Sequence, residues 1–221
     1  MELWCWGDPV DPLIRLVDRG DILAIPTEST YALAVDPRSS RGVAAVFQLK
    51  GRPADKPLPV VMGELDQLRG LGADPQAPQL AELAALWPAP LTVVIPIAEP
   101  LPATAGARSL AVRIPAHERL RRLLCQLDRP LTATSANPSG DEPVSEREEL
   151  REMLAEWPVV MVDDGDLPGG RPSTIVELGE QGLRVHREGA IPISRLAAMV
   201  SMPVFSAAPA EIFVDDRQQH R

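Results

Sequence analysis

Lysine is nearly absent from this sequence. Only Lys50 and Lys56 occur in 221 residues, whereas the other 20 basic side chains are arginine. Where any positive charge suffices, this chain uses the flat guanidinium group. Two lysines six positions apart therefore indicate a local need for a compact, mobile ammonium group.

Cysteine and histidine are also scarce. The two cysteines, Cys5 and Cys125, have no metal-ligand spacing, and the histidines at 117, 186 and 220 are scattered along the chain. We therefore expect no protein-bound transition metal, and we interpret the histidines as surface or packing residues.

Long apolar runs and a net positive charge are missing as well. No run approaches the ~20 residues that span a bilayer, and the first residues do not resemble a secretory signal. The formal charge of −9 argues against a general nucleic-acid binder. We expect a cytoplasmic protein with no membrane association and with weak or no direct nucleic-acid binding.

Length and a hydrophobic content of 45% fit one domain at about residues 1–200, followed by a C-terminal tail at 201–221. Short apolar segments alternate irregularly with helical patterns, which predicts an α/β fold with a twisted, open, mixed sheet and flanking helices. Predicted strands cover 22–25, 58–62, 91–97, 110–114, 131–134, 159–162, 174–178 and 183–186. Predicted helices cover 11–20, 39–50, 80–86, 116–127, 146–155 and 194–199.

The lysine segment runs from Lys50 through Arg52 to Lys56, with Gly51 and Pro53 between the cations. Three cations within seven residues indicate an anion site, most plausibly for phosphates. A solvated basic turn would have the same composition.

Other polar motifs follow predicted strands, where α/β sheets place their ligand sites. Residues 26–31 combine hydroxyl groups with a carboxylate, and they could form a ligand site or a helix-capping turn. Arg113 alternates with Val112 and Ile114, so it points away from the apolar face and suits a bound carboxylate or a cross-strand ion pair. The loop at 132–140 carries small hydroxyl and amide residues that fit a nucleotide or a plain turn.

Seven motifs occur in order along the chain: P-T-E-S-T-Y at 26–31, K-x-R-x-x-x-K-P at 50–57, W-P-x-P-L-T at 87–92, V-R-I-P at 112–115, T-S-A-N-x-S-G at 134–140, P-S-T-I-V at 172–176 and R-x-G at 187–189. Together they resemble the YrdC/Sua5 family over residues 23–192. The similarity is to its short, single-domain members, since about thirty residues follow Arg187.

The resemblance implies an α/β twisted open sheet with a concave, positively charged cavity. It also implies a nucleotidyltransferase that makes L-threonylcarbamoyl-AMP and pyrophosphate from ATP, L-threonine and bicarbonate. That product is the precursor of the t6A modification at adenosine 37 of ANN-decoding tRNAs, and it could pass to a tRNA threonylcarbamoyl transferase complex. Mg²⁺ would accompany ATP, held mainly by phosphates and water.

The resemblance also assigns residues. Lys50, Arg52 and Lys56 are the implied catalytic cations. The implied ATP-binding residues are Arg52, Lys56, Ser109, Ser135, Asn137 and Arg187. The implied threonine-binding residues are Ser29, Arg113 and Ser173, with Arg113 on the carboxylate.

The sequence departs from the family pattern at a few positions. Ala32, Ala34 and Ala89 replace common glycines, and Val61 stands about where some longer members place a histidine on threonine. Added methyl groups would narrow a close approach, so these departures bear on the choice or turnover of the amino acid.

Two other functions remain open at the level of sequence. One is adenylation of a different carbamate, as in the related domain of hydrogenase-maturation carbamoyltransferases. The second is an RNA-binding or ribosome-assembly module, which would need a basic cavity within an acidic chain.

Overall fold

The computed structural model of the protein describes residues 2–51, 53, 55–138, 141–179 and 181–206. Its strands form two mixed sheets. The five-stranded sheet has the order β1 (Glu2–Cys5), β9 (Val159–Asp163), β2 (Ile22–Pro26), β3 (Tyr31–Ala34) and β8 (Thr134–Ser135). The seven-stranded sheet has the order β12 (Val204–Ser206), β11 (Gly182–Arg187), β10 (Thr174–Gly179), β5 (Leu91–Pro96), β6 (Ser109–Arg113), β4 (Val60–Val61) and β7 (Leu131–Thr132).

Helices flank both sheets. The α-helices are α1 (Asp11–Arg19), α2 (Ser40–Lys50), α3 (Pro78–Ala84), α4 (Glu118–Gln126), α5 (Arg147–Met153) and α6 (Ile193–Met199). Short 3₁₀ helices lie at Leu65–Leu71 and Pro102–Thr104. Within the described residues, no helix combines the length and apolar character that a membrane crossing demands.

The predicted α/β class with mixed strand directions is confirmed, but the strands divide into two sheets instead of one. The division occurs at the predicted strand 131–134. There β7 pairs with β4, whereas β8 pairs with β3 in the other sheet. Between them, the N–H of Ala133 donates to the carbonyl of Pro59 at 2.8 Å. Residues 131–134 form a continuous run of apolar and hydroxyl side chains, so the sequence pattern did not predict that the chain passes there from one sheet to the other.

Three strands were not predicted. β3 reads Tyr-Ala-Leu-Ala and is buried throughout, so it shows no alternation, and alanine has little strand preference. β1 forms only by parallel pairing with the distant β9. β12 lies inside the segment expected to be a tail and pairs with β11; residues 207–221 of that segment lie outside the described residues.

The five-stranded sheet is covered on both faces, and β2 shows how. Leu23 and Ile25 pack into one apolar cluster, whereas Ile22 and Ala24 pack into another. Every residue of β2 is therefore buried, as expected for a central strand with parallel and antiparallel neighbours.

The alanines that replace family glycines in β3 belong to this core. The methyl groups of Ala32 and Ala34 are buried beside Leu23 and Ile25. The departure from the family pattern therefore places two methyl groups in the core.

The second helix carries Lys50 at its C-terminal end, as predicted. Ser39 is its N-cap, since the Ser39 hydroxyl accepts a hydrogen bond from the N–H of Gly42 at 3.1 Å. Gly51 ends the helix with a φ of 58°, a left-handed conformation that glycine adopts readily. The position of Lys50 therefore depends on how this helix begins and ends.

We expect Ser39→Ala to lower the free energy of unfolding by about 1 kcal/mol, because the first turn of α2 loses its side-chain acceptor. Urea denaturation followed by circular dichroism measures the change. Ser40→Ala is the matched control, since Ser40 is exposed and is not the capping residue. Equal effects of the two substitutions would contradict the capping role.

Candidate active site

One face of the seven-stranded sheet carries a row of polar side chains. Ile175 pairs with Thr92 on one side and with Arg187 on the other. Continuing the register of Val93 with Val112 places Thr92 beside Arg113. Because cross-strand neighbours project from the same face, the two arginines stand on one face with Thr92 between them.

Arg113 is largely buried and forms an ion pair with Glu28. Its Nη1 donates to Glu28 Oε1, and the two side chains are only 11% and 18% exposed. Burial lowers the pKa of Arg113, and the charge of Glu28 opposes that shift. The predicted orientation of Arg113 is therefore consistent with the structure, in which Glu28 belongs to the β2–β3 turn of the other sheet.

Arg187 lies near this pair and is bonded to protein carbonyl and hydroxyl oxygens. Its Nε and Nη2 donate to the Ser173 carbonyl at 3.2 and 2.9 Å, and Nη2 also lies 3.4 Å from the Ser173 hydroxyl. Arg187 is exposed as a residue, but partial desolvation of its guanidinium lowers its pKa, and the positive charge of Arg113 lowers it further. The two cations therefore share one electrostatic environment, which favours an anion between or beside them.

Ser173 is held from two sides. Its hydroxyl lies 2.8 Å from the hydroxyl of Thr92, which is buried. On the other side Gly189 packs so closely that a Cβ there would lie 2.5 Å from the Ser173 carbonyl carbon and 2.1 Å from the Pro172 oxygen. The glycine of the R-x-G motif therefore permits the contact that positions Ser173.

The turn between β2 and β3 is organised by Thr27. Its hydroxyl donates to the Thr30 carbonyl at 2.7 Å and accepts from the N–H groups of Ser29 and Thr30, each at 3.3 Å. Ser29 is half-buried in this turn, and its carbonyl accepts from Gly169 at 2.8 Å. The turn thus presents Glu28 to Arg113 from a backbone fixed by its own hydrogen bonds.

Lys50 is buried and holds the loop that follows β8. Its Nζ donates to the carbonyls of Ser135 and Asn137 at 2.5 and 2.6 Å and lies 3.3 Å from Asn137 Oδ1. The Asn137 amide nitrogen in turn donates to the carbonyls of Pro138 and Asp141. A compact ammonium group fits this cluster of oxygens, which gives a structural reason for lysine at this position.

The loop and the turn are neighbours. The N–H of Ala136 donates to the Tyr31 carbonyl at 2.9 Å, and β8 pairs with β3 at Ser135 and Ala32. The structure therefore brings Lys50, Ser135 and Asn137 together on one side of the turn. Arg113, Arg187 and Ser173 form a second group, which Glu28 of the same turn contacts.

The structure links the remaining predicted site residues, Ser109, Lys56 and Arg52, less directly to these two groups. Ser109 is half-buried at the start of β6, four residues and about 13 Å from Arg113 on the same face. Lys56 is exposed on the segment that precedes β4. Arg52 lies outside the described residues, so its implied role on ATP stays a prediction.

Sequence reasoning missed three contributors to this arrangement: Glu28, Thr92 and Gly189. All three lie inside motifs that were recognised, but only their contacts reveal a role. Arg113 is the residue from which the role of Glu28 could have been predicted. A guanidinium group on a sheet face needs an anion, and Glu28 is the acidic residue of the P-T-E motif.

Comparisons with known proteins agree with this fold and identify a family. A sequence model of the Sua5_yciO_yrdC family, described as telomere recombination, matches residues 15–189. A threonylcarbamoyl-AMP synthase of Pyrococcus abyssi is 33% identical over 188 residues, covering 83% of this chain and 55% of the relative. A threonylcarbamoyl-AMP synthase of Chromohalobacter salexigens is 36% identical over 176 residues, covering 78% of this chain and 94% of the relative.

The fold is similar to a solved structure as well. The crystal structure of P. abyssi Sua5 complexed with L-threonine superposes with a TM-score of 0.80 at 29% sequence identity. The match covers 92% of this chain and 62% of that protein. The chain thus spans little more than half of the archaeal relative and nearly all of the bacterial one.

We expect Lys50→Met to lower the free energy of unfolding by roughly 1–3 kcal/mol, because buried oxygens of the 135–137 loop lose their donor. Hydrogen exchange at Ala136 and Asn137 should accelerate in the same variant. Lys56→Met is the control, since that side chain is exposed and should change stability by less than about 0.5 kcal/mol. Unchanged exchange in Lys50→Met would contradict the anchoring role.

We expect Gly189→Ala to destabilise the protein by about 1–3 kcal/mol, since its Cβ would overlap the backbone of Pro172 and Ser173. Displacement of Ser173 should also weaken binding of any ligand held beside Arg187. Chemical denaturation measures the first effect. Gly179→Ala on β10 is the control, because the nearest atom to its Cβ would be 3.5 Å away; matching losses in both variants would refute the close-packing argument.

Proposed function

The chain belongs to the Sua5/YciO/YrdC family, and we propose on that basis that it is an L-threonylcarbamoyladenylate synthase. The reaction joins L-threonine, bicarbonate and the AMP part of ATP, and it releases pyrophosphate. This makes the protein a nucleotidyltransferase. The observation that carries the proposal is the pair of neighbouring guanidinium groups, Arg113 and Arg187, beside the hydroxyl of Ser173.

The arginine pair supports an amino-acid site. A guanidinium on a sheet face can bind a carboxylate through two parallel hydrogen bonds, and a second cation nearby strengthens that preference. Ser29 and Ser173 supply hydroxyl groups for the threonine side chain or its carbamate. The P. abyssi structure is a complex with L-threonine, which supports the same ligand class for this chain.

The nucleotide would occupy the side of the turn that Lys50 organises. Ser135 and Asn137 form a loop of small polar residues whose backbone is fixed by a buried ammonium group. Arg52 and Lys56 come soon after α2 in the sequence and would bind the phosphates. Ser109 would complete the site, and Arg187 would reach the nucleotide from the side of the amino-acid site. The role of Lys50 in this proposal is to fix the loop against which ATP binds.

The proposed chemistry needs no protein nucleophile. The threonine amine reacts with bicarbonate to form a carbamate and water. The carbamate oxygen then attacks the α-phosphorus of ATP while pyrophosphate leaves. The protein then contributes positioning and charge neutralisation. Mg²⁺ would arrive with ATP and be held mainly by phosphates and water.

The product has a defined use. Threonylcarbamoyl-AMP would supply the t6A modification at adenosine 37 of ANN-decoding tRNAs through a tRNA threonylcarbamoyl transferase complex. The acidic chain, with a formal charge of −9, would hand over this small anion without binding tRNA strongly itself.

We expect pyrophosphate release from the purified protein to require ATP, L-threonine and bicarbonate together. Omitting any one of them should reduce release to the background rate, because each supplies a bond-forming atom. A coupled phosphate assay measures the rate, and mass spectrometry identifies threonylcarbamoyl-AMP.

Arginine substitutions sharpen this experiment. Arg113→Gln should raise the KM for threonine at least about tenfold, whereas the exposed Arg122→Gln on α4 should leave it unchanged. Release that continues without threonine would refute the proposed substrate, and a normal threonine KM in Arg113→Gln would remove the role of Arg113.

A further inference from the structure

Only one of the two oxygens of the Glu28 carboxylate accepts a hydrogen bond from the described residues. Oε1 accepts from Arg113, whereas Oε2 is buried and meets no hydrogen-bond donor among the residues that the structure describes. A buried carboxylate oxygen without a donor is unfavourable and uncommon in folded proteins. Oε2 can therefore accept a strong hydrogen bond, and a cationic donor would suit it best.

The charges around Glu28 do not cancel. Arg113 and Arg187 contribute two positive charges to the row, and Glu28 contributes one negative charge. In the described part of the chain, no carboxylate pairs with Arg187, whose hydrogen bonds there all go to Ser173. The site thus offers one cation without an acid partner and one carboxylate oxygen without a donor.

An α-amino acid in its zwitterionic form complements both features, since it brings one carboxylate and one ammonium group. We propose that Glu28 binds the α-ammonium group of the amino-acid substrate, while Arg113 binds its carboxylate and the nearby charge of Arg187 adds to the attraction. This inference rests on the proposed function, which makes L-threonine the substrate. It adds a residue that recognises the reacting nitrogen.

Binding requires an exchange of partners. Oε2 is shielded from solvent, so an ammonium group reaches it only when the Glu28 side chain turns away from Arg113. The substrate carboxylate then takes the place of Oε1 on the guanidinium. The turn backbone can stay in place during this change, because its hydrogen bonds are made by Thr27 and not by the side chain of Glu28.

The same contact serves the reaction that follows. An ammonium group donates hydrogen bonds to a carboxylate, and the N–H of the carbamate formed from it can do so as well. Glu28 can therefore hold the nitrogen before and after carboxylation. A ligand that lacks the nitrogen loses this contact and leaves the carboxylate of Glu28 facing a second carboxylate.

Isothermal titration calorimetry with two ligands tests the assignment. L-threonine carries both charged groups, and (R)-3-hydroxybutyrate keeps the carboxylate and the hydroxyl but lacks the amine. Glu28→Gln should weaken L-threonine binding at least about tenfold, because an ion-paired hydrogen bond is lost. The same variant should bind (R)-3-hydroxybutyrate as tightly as the wild type or more tightly.

Glu118→Gln is the matched control. Glu118 also pairs with an arginine, Arg122, but both side chains are exposed on α4. This variant should bind both ligands like the wild type. Thermal melting of each variant verifies folding, and if Glu28→Gln fails to fold, Glu28→Asp replaces it. The shorter acid should reduce the ratio of L-threonine affinity to (R)-3-hydroxybutyrate affinity.

The outcomes separate the two proposals. Equal weakening of both ligands would show that Glu28 only positions Arg113, and undiminished L-threonine binding in a folded Glu28→Gln variant would also overturn the assignment. Failure of the wild-type protein to bind L-threonine would instead overturn the proposed substrate, and the assignment of Glu28 with it.

Discussion

A largely buried guanidinium group has to be paired with an anion, and in this protein that requirement joins the two sheets. Arg113 ends a strand of the seven-stranded sheet, whereas Glu28 lies in a turn of the five-stranded sheet. Removing one member of such a pair leaves an uncompensated charge, which typically costs about 3–5 kcal/mol. This contact therefore ties the two sheets together at one wall of the candidate active site, while the hydrogen bonds of Thr27 fix the turn backbone itself.

The buried ammonium group of Lys50 has a comparable function on the other side of the turn. It satisfies carbonyl oxygens of Ser135 and Asn137 that face inward from a short, irregular loop. Backbone oxygens in that situation need a donor, because regular strand pairing ends at Ser135. A loop fixed in this way can present its outer groups to a ligand without reorganising, which lowers the entropic cost of binding.

Sequence reasoning was most successful where local patterns decide structure. Val93 lies in an apolar strand and Lys50 ends a helix, and both follow from a few neighbouring residues. It was weaker where the partner is distant in sequence: Lys50 contacts residues 85 and 87 positions away, and Glu28 lies 85 positions from Arg113. The family motifs identified these residues as functional candidates, but composition and spacing cannot specify which side chain meets which oxygen.

The site has to be compatible with folding despite containing two neighbouring guanidinium groups. Glu28 compensates one of them internally, and the Ser173 carbonyl partly compensates the other through its lone pairs. Glu28 brings one negative charge and contacts Arg113 through a single oxygen, and the Ser173 carbonyl is neutral. The positive charges of the two arginines are therefore not both neutralised. A substrate carboxylate entering this row gains the attraction of two cations while displacing only one monodentate contact. The incomplete pairing is thus compatible with folding and still leaves a net electrostatic preference for an amino-acid carboxylate.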